Sequence, residues 1–132
     1  MEYGYIHDNE ITSYDVDILN KKIVLHTTYE VREVNESTDI IFEDVLTHCF
    51  DDVIYSNIIF SICDLEIEKF IEDYHEKLKD RKNMGWPIFY DDESQLLQKL
   101  KDNNYKVFEI DSSLGLSGFV IAKSIAIDVT TL

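Results

Sequence analysis

Positive charge is scarce in this chain. Twelve Lys and Arg stand against 27 Asp and Glu, a formal net charge of −15 at pH 7. Such an excess repels phosphate, so nucleic acid is not an expected partner, and neither is an anionic membrane surface. Cysteine is nearly as sparse, with Cys49 and Cys63 the whole complement. Two thiols make no disulfide framework, and a reducing cytoplasm is the expected setting. No apolar run approaches the ~20 residues of a membrane-spanning helix. No basic start followed by an apolar stretch is present in the first ~20 residues, so secretion is not expected either.

The motifs of common chemistry are missing too. No Gly-Lys-Ser/Thr closes a phosphate loop, and no acidic run fits the calcium pattern Asp-x-Asp-x-Asp-Gly. His48, Cys49 and Cys63 lack the short spacings of a zinc site. Adjacent residues on a strand point to opposite faces, so His48 and Cys49 would rarely share an ion. Gly115-Leu116-Ser117-Gly118 fails the nucleophile-elbow spacing and is followed by a strand rather than a helix. It reads as a turn that glycine permits. His7, His26 and His75 are scattered, and close carboxylates such as Asp15 and Asp17 are what 27 acids produce by chance. No catalytic residue, metal or cofactor is therefore expected.

What is present is a core. At 132 residues and 45% apolar content, the chain is expected to fold as one domain over residues 1–132. Residues 1–10 read as an edge strand or a loose terminus. Alternation over Ile11–Leu19 and Ile23–Tyr29, around Asn20-Lys21-Lys22, reads as a hairpin whose first strand is half-buried through Tyr14, Val16 and Ile18. Thr38–Val45 reads as a third strand, which Leu46–Phe50 would continue past a bulge, and Tyr55–Cys63 as a fourth. The period then changes. Ile67, Phe70, Ile71, Tyr74 and Leu78 recur at helical spacing, and Asp64–Lys82 is expected to be one helix that Gly85 and Pro87 terminate. A second helix carries Leu96, Leu97 and Leu100, with Asp91 or Asp92 as its cap. Strands at Tyr105–Ile110 and Phe119–Val129 close the chain. The order ββββ-α-α-ββ predicts an α+β fold: a mostly antiparallel sheet of about six strands with two helices on one face.

One segment stands out as a candidate binding surface. Gly85–Glu93 holds the only Trp and the only Pro and runs into three acids. Aromatic anchors beside charge are the composition of interface hot spots, which nominates Trp86, Tyr90, Asp91, Asp92 and Glu93 as partner-binding residues. The competing reading packs Trp86 and Phe89 under the helix end and uses the acids as caps.

The hairpin Tyr14–Tyr29, the run Thr38-Asp39-Ile40-Ile41-Phe42-Glu43-Asp44-Val45 and the end Gly115–Ile127 resemble small acidic bacterial proteins of the toxin-immunity type. The resemblance is one of general character and transfers no residue role. It implies a cytosolic, non-enzymatic protein that binds and blocks one toxin domain, often a basic nuclease. The acidity suits such a basic partner, since opposite potentials speed encounter. Two alternatives remain open at this stage: a small enzyme with a dispersed site, and a regulatory module that forms homodimers or larger assemblies through an exposed sheet edge.

Overall fold

The computed structural model describes residues 6–31 and 34–131. Among these, eight strands form one sheet: β1 (Glu10–Asp17), β2 (Lys22–Val31), β3 (Val34–Glu43), β4 (Thr47–Asp51), β5 (Ile58–Leu65), β6 (Lys106–Leu114), β7 (Ser117–Ala122) and β8 (Ser124–Thr131). Between β5 and β6 lie α1 (Ile67–Asp73), α2 (His75–Arg81), a 3-10 turn at Lys82–Met84 and α3 (Glu93–Asp102). The strand order is β4-β7-β6-β5-β1-β2-β3-β8, and every pairing is antiparallel.

The hairpin forms where the alternation places it. Ile23, Leu25 and Thr27 of β2 are buried, while Val24, His26 and Thr28 face outward. Its turn is held by the Asp17 carboxylate, which accepts from the backbone N–H of Asn20 at 3.0 Å. Lys21 completes the turn in the left-handed region, at φ 54°.

Two long stretches bend, and the bends turn the sheet over on itself. Asp44, Val45 and Leu46 separate β3 from β4, and Asp44 takes a φ of 54° at the bend. β7 and β8 are separated by Lys123 alone. The two bent stretches pair with each other from Glu36↔Thr131 to Glu43↔Ser124, then from Thr47↔Ile121 to Asp51↔Ser117. Bonds from Lys123 N–H to the Glu43 carbonyl (3.2 Å) and from Leu46 N–H to the Ile121 carbonyl (2.8 Å) carry the ladder round the corner. The inner faces of both halves thus meet in one cluster. It joins Ile23, Leu25, Ile40 and Phe42 to Ile59, Ile62, Phe108, Ile110, Val120 and Ala122.

Three expectations need correction. The sheet has eight strands rather than about six, because the bends at Asp44 and Lys123 each divide a run that hydropathy reads as continuous. The helical layer holds three α-helices rather than two. β5 continues to Leu65, so Asp64 belongs to a strand, and Glu66 precedes α1. The helix then breaks at Tyr74, at φ −108° and ψ 23°. Finally, β1 is not half-buried. Only Ile11 is buried, because β1 meets β5 at the single pair Glu10↔Ile58 and its remainder overhangs the open end of the curl.

The helices cover one half of the sheet, on the side away from the inner cluster. Phe70, Ile71 and Leu78 pack with Leu96, Leu100, Val107, Phe119 and Ile121 in a second core. That is the apolar face the helical spacing marks out, with Ile67 and Tyr74 at its margin. α3 starts at an Asp92 cap, whose carboxylate accepts from Gln95 N–H at 2.8 Å. No residue of this second core comes from β1, β2, β3 or β8. That half of the sheet presents its outer face uncovered by helix.

Candidate protein-binding surfaces

The Gly85–Glu93 segment leaves α2 through a left-handed Gly85 (φ 76°) and a cis Trp86–Pro87 bond. Trp86 is half-buried. Its Nε1–H donates to Thr47 Oγ1 on β4 at 2.8 Å, and its ring packs toward Phe119 at 6.1 Å. Tyr90 is half-buried as well, with its hydroxyl 3.4 Å from the Leu78 carbonyl. Cations of the chain itself attend both rings: Arg81 lies 5.3 Å from the centre of Trp86, and Lys82 lies 5.6 Å from that of Tyr90. Among the acids, Asp92 caps α3 and Glu93 accepts from His75 Nδ1 at 2.8 Å, while Asp91 is exposed. The apolar groups most open to a partner here are Met84 and Phe89, which are 72% and 73% exposed. All five nominated residues lie on one stretch of surface, but the charge around the aromatics is mixed.

The uncovered half of the sheet is different. On β1, β2, β3 and β8 the residues alternating with the buried ones include Asp15, Asp17, Asp39, Glu43 and Asp128. Lys22 is the one Lys or Arg among the described residues of this face. His26, Asp39 and Asp128 stand directly opposite one another across three neighbouring strands. His26 is bridged on both nitrogens, by Asp15 and by Asp39, each at 2.8 Å. The sequence supports the bias. No Lys or Arg occurs between Arg32 and Lys69, a stretch with ten Asp and Glu. Beside the acids, Val24, Ile41 and Ala126 form an apolar row in the same register.

The bridge has a pH signature. The bonds to Asp15 and then Asp39 raise the His26 pKa above its ordinary value. Protonated His26 can donate from both ring nitrogens, whereas the neutral ring can donate from only one. Its contribution to stability is therefore full below the unfolded-state value of about 6.5. It fades as pH rises through the raised folded value. Because the site is part-exposed, the contribution is expected to be no more than about 1 kcal/mol. Urea unfolding of the wild type and of His26→Ala at several pH values checks this. The gap between them should close between mildly acidic and mildly alkaline pH, and a gap that widens with pH would contradict the assignment.

A third cluster lies at the seam between helices and sheet. Tyr74, Glu109, Asp111, Ser117 and Gly118 line a cleft of about 300 Å³. Burial, with Glu109 nearby, pushes the Tyr74 hydroxyl up to about 12. Burial also raises the Glu109 carboxyl, reinforced by Asp73 and Asp111 and opposed by a hydrogen bond from Tyr74. Among the described residues no cluster of three or more His, Cys, Asp or Glu has the arrangement of a metal site. Among the described residues no helix is long and apolar enough to cross a membrane.

The acidic face escapes a reading along the chain. Alternation puts His26 on the outer side of its strand. The β1–β2 turn brings Asp15 near it and the β2–β3 pairing brings Asp39, but Asp128 arrives only through a pairing with a strand far away in sequence. The scarcity of cations between Arg32 and Lys69 was the one local signal. Comparisons with protein-family models, curated proteins and solved structures find no match to this chain.

Proposed function

We propose that this chain is a non-enzymatic, cytoplasmic binding protein that engages a basic protein partner, and that it serves as the inhibitor of a basic toxin domain. The observation that carries this reading is the asymmetry of charge. Among the described residues the uncovered sheet face gathers Asp15, Asp17, Asp39, Glu43 and Asp128 around a single Lys22, while most of the cations sit on the helical layer. An extended acidic surface flanked by an apolar row can steer a basic surface and then bury part of it. Trp86, Tyr90, Asp91, Asp92 and Glu93 form the second contact region in this proposal. Exposed Phe89 and Met84 there supply the apolar area that hot spots need.

The test is kinetic and uses a partner captured from cells that make the protein. Association should be fastest at low salt and slow as the screening length falls to about 8 Å. Asp39→Asn with Asp128→Asn should lower the on-rate several-fold and leave the off-rate nearly unchanged. Amide replacement at Asp91, Asp92 and Glu93 measures the second region. A salt-independent on-rate would reduce the acidity to a solubility device, and slowing confined to the second set would move the interface to the helical side.

A further inference from the structure

Cys49 and Lys77 face each other across the seam between β4 and α2. Lys77 Nζ lies 2.9 Å from Cys49 Sγ. That separation is within the range of N–H···O bonds, although sulfur is the larger atom. Both partners are held in place. Cys49 sits in the middle of the β4–β7 ladder opposite Phe119, and Gly118 packs directly against its carbonyl oxygen. Lys77 is half-buried, whereas most of the described lysines are exposed.

The choice of partner is the unusual part. In a chain of 27 acids, Lys69 pairs with Asp73 and Lys101 with Glu68. Lys77 makes no ion pair among the described residues, and its hydrogen-bond partner is the thiol. The Asp51 carboxylate also approaches the sulfur, with Oδ2 3.7 Å from Sγ as acceptor for the thiol S–H. Cys63 provides the contrast: among the described residues its Sγ has only the Ser61 hydroxyl, at 3.8 Å.

We propose that Cys49 and Lys77 are a redox modification site, at which dioxygen closes a covalent oxygen bridge between Sγ and Nζ. The Lys77 ammonium gives one proton to solvent, the thiol S–H bond and one N–H bond of the resulting amine break, and an S–O and an O–N bond form. One oxygen atom of dioxygen enters the bridge, and the other leaves as water with the two released hydrogens. Dioxygen takes up four electrons, two from sulfur and two from nitrogen, so no further reactant is needed. A sulfur and a nitrogen already in contact need move little to accept one bridging atom. The bridge ties the short edge strand β4 to the helical layer across 28 positions of sequence. Two equivalents of a dithiol return the thiol, the amine and water.

Purification of the intact protein with and without air tests this. Aerobic protein is expected to gain ~14 Da, the mass of one oxygen less two hydrogens, and to lose one of its two titratable thiols. Digestion should yield one linked pair of peptides containing Cys49 and Lys77, and dithiothreitol should release them. The thermal midpoint should rise by several degrees with the bridge and return on reduction. Cys63→Ser should leave all of this unchanged, and Lys77→Arg, which keeps charge and fold, should abolish it. Retention of both thiols after prolonged aeration would overturn the proposal. So would a gain of oxygen on Cys49 without linkage, a linked product that persists in Lys77→Arg, or one that is lost in Cys63→Ser.

Discussion

Replacing Phe119 by alanine is expected to remove about 3–5 kcal/mol of stability, the usual loss for a fully buried Phe that leaves a cavity. Phe119 is completely buried on β7 and is the point where the helical layer meets the sheet. Its ring lies 5.1 Å from Phe70, 4.7 Å from Tyr74 and 6.1 Å from Trp86, with the first two contacts edge-to-face. Edge-to-face pairs add about 0.5–1.5 kcal/mol each beyond burial, and their loss pushes the effect toward the upper end. Phe70→Ala, on the opposing α1, should cost a similar amount by the same mechanism, since Phe70 is equally buried. Phe89→Ala is the contrast. That ring is 73% exposed, and its loss should stay within about 0.5 kcal/mol. Denaturant unfolding with unchanged slope measures all three. The only tryptophan sits beside Phe119, so its fluorescence reports on this core directly. A loss for Phe119→Ala below about 1 kcal/mol would mean that the helices do not cover this part of the sheet.

These residues also show what could be read from the chain and what could not. Helical spacing picked out Phe70, Ile71 and Leu78, because a 3.6-residue period is a local property that burial then enforces. The β1–β2 hairpin and a helix cap at Asp91 or Asp92, which proves to be Asp92, were legible for the same reason, since each is settled within a few residues. The bends were not. Asp44 and Lys123 are unremarkable as residue types: the first stretch reads as one strand with a bulge, and Phe119–Val129 reads as unbroken. Only the pairing of β3–β4 with β7–β8 makes those positions corners. Tyr74 fits the apolar stripe, and nothing local foretells that the helix breaks there. The candidate binding residues divide in the same way. Trp86–Glu93 is contiguous and visible as a composition, whereas Asp15 and Asp39 meet at His26, with Asp128 beyond Asp39, only after four strands have found their registers.

Gly118→Ala is expected to be as damaging as the loss of Phe119, by about 4 kcal/mol or more, although it adds one methyl group to the surface of a strand. Along the sequence this glycine reads as part of a turn. The turn proper lies between β6 and β7 at Gly115-Leu116, and Gly118 falls inside β7. Two effects combine there. Its φ is 148°, a region that L residues rarely adopt, which alone costs on the order of 1–2 kcal/mol. In addition, a Cβ at this position would overlap the carbonyl oxygen of Cys49 on the neighbouring strand. The obstacle is backbone in a hydrogen-bonded ladder, so no side chain can rotate away to make room. β4 must separate from β7, and the Thr47–Trp86 and Cys49–Lys77 contacts are carried off with it. Gly85→Ala isolates the first effect. Gly85 is left-handed at φ 76°, but its Cβ would meet only the ring of exposed Phe89, which can swing into solvent. That variant should lose only about 1–2 kcal/mol. Equilibrium unfolding of both, with Trp86 fluorescence as the local probe, gives the comparison. Equal losses in the two variants would show that β4 has slack to move, and that the close approach of the strands does not constrain this edge of the sheet.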